Sequence, residues 1–283
     1  MPESVSEEKF YDSDYIAQII RDVLRNRFNY LRYLNDFYGD GSFVAYTEPF
    51  PEHSALHSFI EFVAGGIIRE ESYDVDSINE LSGITFSETG NLLKEKESGF
   101  KPLPIEEAFD FYEVEYTSFE EWLRDKEDEP SFGVTEDDIC DYLDALVESG
   151  EYENLLEAVV EDVFSILFQD RTLLEVFNDI MANQVSESEL DEIDEEYREF
   201  FSEPGILKES PVPLWVKEEV NSRDQGQCVN CQSEIPDIFD KDQSDRFCHI
   251  VPLTDGGLND VTNIQILCCD CDPNVNPRQL SLW

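Results

Sequence analysis

The chain has 283 residues and a formal net charge of −47, with 66 acidic and 19 basic side chains. Apolar residues make up 41% and aromatic residues 12%, which excludes an intrinsically disordered chain, because such chains have too few apolar residues to form a core. The apolar runs are too short to span a bilayer and no signal peptide is recognisable, so we expect a cytoplasmic protein that does not contact membranes.

The acidic excess is dispersed over the whole chain. Residues 1–205 hold 53 acidic against 13 basic side chains, and residues 206–283 hold 13 against 6. At molar salt the Debye length falls to ~3 Å, which screens the repulsion between such charges. We therefore expect a high-salt, halophilic cytoplasm. The alternative is an acidic surface that mimics the phosphate backbone of DNA, or one that repels nucleic acid until a basic partner binds.

The first predicted helix begins near Tyr15. Apolar residues recur three and four positions apart as far as Leu34, and Tyr38-Gly39 predicts the end of the helical segment. This is also the most basic part of the chain, with Arg21, Arg25, Arg27 and Arg32. We interpret these arginines as a solvated face that pairs with nearby acids; a nucleic-acid contact is the alternative.

A second helix is predicted from Leu56 to Gly65-Gly66. His53 and His57 lie four residues apart and therefore on one helix face. A metallopeptidase zinc site needs a Glu directly after the first histidine, where this chain has Ser54. We expect two ordinary surface histidines.

The remaining predicted elements up to residue 203 are helical as well. Residues 77–94 predict a pair of short helices, as a structural hairpin or, alternatively, as a DNA-binding helix-turn-helix. An irregular connection over residues 98–134 contains one short helix around Phe119–Leu123. Thr135 and Asp138 predict a helix N-cap, and that helix ends at Gly150. Further helices are predicted for residues 155–168, 173–181 and 186–201, and Cys140 is expected in the core. Residues 1–203 are thus predicted to form one acidic helical domain of unknown role.

A linker is predicted over residues 204–213, where Pro and Gly recur. The domain that follows, residues 214–283, begins with a helix from Trp215 to Ser222, whose Trp215 is expected to pack against a metal-bound core. Two Cys-x-x-Cys pairs then bracket 36 residues. This spacing is typical of a structural zinc site, because four thiolates satisfy the tetrahedral preference of Zn²⁺. The predicted ligands are Cys228, Cys231, Cys268 and Cys271, with Cys269 as a bystander or an alternative ligand.

The order of residues in this last quarter of the chain resembles the HNH (His-Asn-His) endonuclease family. That family has a Trp-Val-Lys-rich helix before Arg-Asp-x-Gly-x-Cys, then Asp-His-Ile-Val-Pro-Leu, a Gly-Gly pair, and an Asn-Leu-Gln-Leu-Leu-Cys strand. The matching residues here are Trp215-Val216-Lys217, Arg223, Asp224, Gly226, Cys228, His249-Ile250-Val251-Pro252-Leu253, Gly256-Gly257, Asn263-Ile264-Gln265-Ile266-Leu267 and Cys268.

The resemblance implies a ββα-metal fold and metal-dependent cleavage of DNA. His249 would be the general base, and Asn263 would tie the following loop and orient that base. A catalytic Mg²⁺ or Mn²⁺ would be held by Cys248 and Asp272. The chain departs from the family at three positions, since Cys248 replaces an Asp, Asp272 replaces an Asn or His, and Val275 replaces a Lys. A thiolate is a soft ligand that prefers zinc, and Asp272 before a proline also fits a helix N-cap.

The sequence therefore predicts a mainly α N-terminal domain joined to a small α+β, zinc-stapled ββα module. The first functional hypothesis is an HNH-type DNA endonuclease in DNA defence or mobile-element biology, with DNA bound by the C-terminal module. The alternative is a catalytically decayed, zinc-stabilised binding or interaction protein derived from such nucleases. In either case the N-terminal helical domain is expected to select the substrate or a protein partner.

Overall fold

The computed structural model describes residues 12–39, 41–72, 85–86, 92–94, 102–125, 134–191, 193–240 and 246–272. Within these ranges the fold is mainly helical, as the sequence predicts, with ten α-helices and three two-stranded antiparallel sheets. The helices are α1 Ser13–Arg25, α2 Leu31–Tyr38, α3 Ala55–Ser72, α4 Pro104–Phe111, α5 Phe119–Asp125, α6 Glu136–Ser149, α7 Glu151–Leu167, α8 Arg171–Ser186, α9 Glu195–Arg198 and α10 Leu214–Asp224. The strands are β1 Thr85–Phe86, β2 Leu92–Lys94, β3 Phe201–Glu203, β4 Ile206–Leu207, β5 Phe247–His249 and β6 Ile264–Ile266. None of the described helices combines the length and the apolar character that a membrane crossing requires.

The chain divides into two compact units. One comprises Met1–Ile20 and Ile60–Val163, and the other comprises Arg21–Phe59 and Phe164–Trp283. The cysteine-rich C-terminal residues therefore share a unit with the chain segments 21–59 and 164–203. The domain boundary at residues 204–213 stays a prediction.

The first unit has an aromatic core that contains Phe109, Phe119 and Tyr142. The buried carboxylate of Glu106 accepts hydrogen bonds from the backbone N–H groups of Leu103 and Phe119, both at 2.7 Å. It thereby satisfies free N–H groups at the starts of both α4 and α5. Burial raises the pKa of Glu106 above its ordinary value, and the two backbone hydrogen bonds oppose that shift.

Helix α6 begins and ends as predicted. Thr135 accepts a hydrogen bond from the backbone of Asp138, Asp138 returns one to Thr135, and Gly150 ends the helix with φ +82°. Cys140 on this helix is exposed, so the prediction of a core cysteine is wrong. The buried residues Ile139, Tyr142, Leu143 and Leu146 follow the helical period, and position 140 lies outside that stripe.

Residues 77–94 do not form the predicted pair of helices where the structure describes them. Thr85–Phe86 pairs antiparallel with Leu92–Lys94, and the rest of this segment lies outside the described residues. Thr85 and Phe86 are residue types that favour strands. Gly90, in the middle of the predicted second helix, would cost a helix about 1 kcal/mol relative to alanine.

The second unit is built around α8. Phe177 of α8 lies 5.6 Å from Phe59, measured between ring centroids, and Phe59 lies 5.0 Å from Phe37. Two of the arginines near the N-terminus pair with acids as predicted. Arg21 contacts Asp170 and Arg27 contacts Asp179, each at 3.1 Å.

His57 in the second unit is not an ordinary surface histidine. Its ring stacks on Phe164 with centroids 3.6 Å apart, and its Nδ1 accepts a hydrogen bond from the backbone N–H of Ser54 at 3.0 Å. Burial and then the charge of His53 lower the pKa of His57 to about 4. His57 therefore acts as a neutral acceptor at the start of α3, whereas His53 is exposed as expected.

In the segment 186–201, for which a longer helix was predicted, the described residues are helical only at Ser186, the last residue of α8, and over Glu195–Arg198. The next residues form the hairpin β3–β4, with Pro204 and Gly205 in its turn. Gly205 has φ +72°, a conformation that favours glycine. The first residues of the predicted linker therefore lie in a hairpin.

Candidate metal centre and histidine site

Four cysteines from two turns meet at one point. The Sγ atoms of Cys228, Cys231, Cys268 and Cys271 all lie within 4.8 Å of one another. Those of Cys231 and Cys268 are 3.6 Å apart. Thiolates at ~2.3 Å from a tetrahedral zinc ion would be separated by ~3.8 Å. The cluster could therefore hold a metal such as zinc, and the exposed Cys269 is not part of it.

Backbone hydrogen bonds shape the two turns. In the first, the N–H of Gln232 donates to the carbonyl of Cys228 at 2.7 Å, and the N–H of Cys228 donates to Ser233 at 2.9 Å. In the second, the N–H groups of Cys271 and Asp272 both donate to the carbonyl of Cys268 at 3.0 Å. Each turn thereby directs both of its cysteines towards the same point.

The electrostatics of the cluster favour a bound cation. Hydrogen bonds from the side chain and backbone of Ser233 lower the pKa of the Cys231 thiol to about 6. Burial and the neighbouring Cys268 raise the pKa of the Cys271 thiol. Without a cation, the four thiols therefore cannot all ionise together at neutral pH. A divalent ion would stabilise the four thiolates that tetrahedral coordination needs.

A buried ion pair fixes helix α10 against strand β6. Both carboxylate oxygens of Asp224 accept from the Arg223 guanidinium, at 2.8 and 3.1 Å, and Oδ2 also accepts from the backbone N–H of Ile266 at 3.0 Å. Arg223 donates to the carbonyl of Ile264, and Arg171 of α8 contacts Asp224 at 3.3 Å. Val216 and Val220 are the buried apolar residues of α10, while Trp215, expected to pack on the core, is only half-buried.

His249 is the last residue of β5, which pairs antiparallel with β6 so that His249 is opposite Ile264. Burial lowers the pKa of the imidazole, while the side chain of Asn259 and the charge of Glu209 raise it. Because burial has the largest effect, the ring is neutral at pH 7. Its Nε2 atom is buried and has no hydrogen-bond partner of good geometry among the described residues.

Asn263 ties the loop between β5 and β6. Its side-chain oxygen accepts from the backbone N–H of Val251 at 2.8 Å, and its amide nitrogen donates to the carbonyls of Val251 at 3.0 Å and Leu258 at 2.8 Å. The loop also requires both glycines, since a Cβ at Gly257 would lie 1.9 Å from the carbonyl oxygen of Val251, and one at Gly256 would lie 2.3 Å from that of Ala182. Gly256-Gly257 is therefore a tightly packed turn.

Cys248 and Asp272 lie side by side. The Sγ of Cys248 donates to Oδ2 of Asp272 at 3.7 Å, and Asp272 is buried. Successive side chains of a strand point to opposite faces. His249 follows Cys248 on β5 and accordingly has other neighbours, Asn259 and Glu209. The structure thus brings together the two residues predicted to hold a catalytic metal, with the thiol directed at the carboxylate. Val275, the third departure from the family pattern, lies outside the described residues.

The loop that carries Asn263 is docked on helices of the same unit. Asp260, fully buried, accepts from the backbone N–H of Ala55 at the start of α3 at 3.0 Å and from Thr262 at 2.8 Å. Burial raises the pKa of Asp260, and these hydrogen bonds oppose the shift. The side chain of Asn178 in α8 donates to the carbonyl of Thr262 at 3.1 Å. Residues 259–263 are therefore held by segments distant in the sequence.

Three structurally important residues were not identified as such from the sequence. Asp224 was noted only as part of a motif, and Asn259 and Asp260 were not singled out. The one available signal was Arg223-Asp224 directly before the first cysteine turn, since a charged pair at the end of a short helix requires a partner when it is buried.

Comparison of the chain with known proteins finds no matching family model, no matching curated protein and no matching solved structure. The resemblance to HNH endonucleases therefore rests only on the residues named in the sequence.

Proposed function

We propose that the C-terminal segment is an HNH-type module that hydrolyses phosphodiester bonds in DNA, with His249 as the general base. The observation that carries this proposal is the position of His249: it is half-buried at the end of β5, next to a loop that the side chain of Asn263 holds through hydrogen bonds to Val251 and Leu258. A phosphodiester repels anionic nucleophiles, so its hydrolysis needs a base that deprotonates water close to the phosphorus. A neutral imidazole can accept that proton at pH 7.

Asn259 is the polar side chain that influences the imidazole of His249 most strongly. Its amide nitrogen donates to the carbonyl of Lys208 at 2.9 Å, and this bond leaves the amide oxygen for the imidazole. The interaction with Asn259 raises the pKa of His249, as expected when an oxygen accepts from a ring N–H. Nε2 of His249 and Oδ1 of Asn259 are both buried without a hydrogen-bond partner among the described residues. We propose that Nε2 carries the ring proton and turns it towards Asn259 in the substrate complex, so that Nδ1 keeps its lone pair for the attacking water.

A divalent cation would neutralise charge that develops on the phosphate. Asp272, although buried, would be the residue that offers a Mg²⁺ or Mn²⁺ ion a hard oxygen ligand. Cys248 does not fit such an ion, because a thiol is a soft ligand. Its contact with Asp272 instead stabilises a carboxylate in a buried position.

We also propose that this module has a ββα arrangement and that its four-cysteine cluster binds a structural zinc ion. The β5–β6 pair and the four-cysteine cluster support both, whereas the residues after Asp272 lie outside the described part of the chain. The net charge of −47 leads us to propose further that the protein acts in high salt, where repulsion from DNA is screened.

A second function is favoured by a specific observation. Cys248 and Asp272 occupy the positions of the family's metal ligands, and the Cys248 thiol lies 3.7 Å from the Asp272 carboxylate. This direct contact can hold the two side chains in place without a metal ion. Under this alternative, the chain is a zinc-stabilised binding protein without catalytic activity, and His249 and Asn263 only stabilise the loop.

The two functions are separated by the substitution His249→Ala. We expect the wild-type chain to nick supercoiled plasmid in Mg²⁺ or Mn²⁺ at about 1 M KCl, where the Debye length is ~3 Å. The variant should lose about 10²- to 10⁴-fold in rate, the usual contribution of a general base. His53→Ala, at an exposed histidine, is the matched control and should keep the wild-type rate. Equal nicking by the wild type and His249→Ala, with both chains folded, would refute the assignment of the base.

A further inference from the structure

The turn between α1 and α2 exposes several large apolar side chains. We name residues 25–32, Arg-Asn-Arg-Phe-Asn-Tyr-Leu-Arg, the arginine–aromatic loop. A 3₁₀ turn over Arg27–Asn29 holds it, with backbone hydrogen bonds from Asn29 to Asn26 at 2.7 Å and from Tyr30 to Arg27 at 3.1 Å. The loop belongs to the same compact unit as His249 and the cysteine cluster.

Three large apolar side chains of this loop face solvent. Phe28 is 76% exposed, Leu31 54% and Tyr30 40%. Among the described residues only six large apolar side chains are exposed, and half of them lie within these four consecutive positions. Isolated exposed apolar residues are ordinary, whereas a cluster of them marks an interaction site.

The loop is also locally basic in a strongly acidic chain. It contains three arginines and no acidic residue, although acidic residues number 66 in the 283-residue chain. Arg27 pairs with Asp179 at 3.1 Å, and its guanidinium lies 5.4 Å from the ring of Phe28. Arg25 and Arg32 are exposed, and neither forms an ion pair with any residue in the ranges that the structure describes. Two cations thus flank two exposed aromatic rings.

We propose that the arginine–aromatic loop binds unpaired nucleotides of a nucleic-acid strand, with Phe28 and Tyr30 stacking on bases and Arg25 and Arg32 contacting phosphates. The choice of partner rests on the proposed function. Every unpaired base offers a flat face that stacks on an aromatic ring, and phosphates recur along the strand to meet cations. In a duplex the bases stack on one another, so their faces cannot reach these rings. An acidic protein would pair with the arginines but would leave the aromatic rings without a specific role.

The test is fluorescence anisotropy with a labelled single-stranded oligonucleotide of about 20 nucleotides, which exceeds the usual site size of one binding module. The His249→Ala chain is used without added divalent cation at about 1 M KCl, so that the acidic body is screened over ~3 Å. We expect binding of the single strand, and weaker binding of the same sequence as a duplex. Phe28→Ala and Tyr30→Ala should each weaken binding about tenfold, and Arg25→Gln with Arg32→Gln should weaken it less, because the same salt also screens the arginine–phosphate contacts.

Matched controls lie in the other compact unit. Phe111→Ala removes another exposed phenylalanine, and Arg124→Gln another exposed arginine, and neither should change the affinity. The loop variants must retain the wild-type melting temperature. The proposal is overturned if Phe28→Ala and Tyr30→Ala bind as the parent does, or if the duplex binds as tightly as the single strand. It is also overturned if the oligonucleotide does not bind and light scattering shows self-association that these two substitutions abolish.

The result of the binding experiment does not depend on whether the protein cleaves DNA. Loop-dependent binding by a chain that never nicks DNA contradicts the nuclease function alone. Nicking by a wild-type chain whose loop variants bind normally contradicts the loop proposal alone.

Discussion

We expect the purified chain to contain one zinc ion, and its removal by a chelator to unfold the two cysteine turns. Structural zinc contributes roughly 10 kcal/mol or more of apparent binding free energy at neutral pH, which exceeds what two short turns can gain from burial. Three of the four cysteines are at least partly exposed, so little apolar packing replaces the metal. In hydrogen exchange, the amide of Val229, which donates to the carbonyl of Ile266 at 3.0 Å, should lose its protection.

Cysteine substitutions test whether zinc binding depends on the four predicted ligands and not on the other cysteines. Cys228→Ser should abolish zinc binding and reproduce the effect of the chelator. Cys269→Ser, at the exposed cysteine beside two ligands, and Cys140→Ser, on α6, should leave zinc content and melting temperature unchanged. A metal-free protein that is as stable as the wild type, or a Cys228→Ser variant that still binds one zinc, would contradict the assignment.

Asp224→Ala should cost about 3–5 kcal/mol of unfolding free energy, because it leaves the guanidinium of Arg223 buried without its counter-charge. The side chains of Asp224 and Arg223 are 0% and 1% exposed, so water cannot replace the lost partner. The same substitution removes the acceptor for the N–H of Ile266. Denaturant unfolding measures the total effect, and hydrogen exchange at Ile266 locates it.

Glu219→Ala is the matched control for Asp224→Ala, since Glu219 is an exposed acid on the same helix. It should change the stability by less than about 0.5 kcal/mol, as is usual for surface substitutions. If Asp224→Ala is as mild as this control, the ion pair does not hold α10 to β6.

The sequence predicts those features that depend on local chemistry. The cap at Thr135, the helix end at Gly150 and the four-cysteine cluster each follow from residues close in sequence or from a spacing with one chemical meaning. The mainly helical fold follows from the same apolar period. Cys140 shows the limit of that reasoning, since a small apolar residue near a buried stripe can still face solvent.

The remaining features depend on contacts that are distant in sequence. Asp260 stabilises the start of α3 some 205 positions away, and no local pattern indicates that contact. His57 was expected at the surface because the position of Phe164 could not be known. Gly256-Gly257 was noted only as part of the family pattern, whereas its glycines are required by close approach to the backbone of Val251 and Ala182. Leu92–Lys94, which was predicted to be helical, pairs instead with Thr85–Phe86, because Gly90 disfavours a helix and Thr85 and Phe86 favour a strand.

The most direct test of the nuclease account is the nicking rate of Cys248→Asp relative to the wild type. The substitution places a second hard oxygen beside Asp272, where the thiol lies 3.7 Å from the carboxylate, and thereby strengthens the binding of Mg²⁺. We measure initial rates of supercoiled plasmid nicking in Mg²⁺, with zinc content verified for both chains. The account predicts measurable nicking by the wild type and a rate at least about tenfold higher for Cys248→Asp, because a better-held cation stabilises developing charge by several kcal/mol. Absence of nicking by both zinc-loaded chains would contradict it.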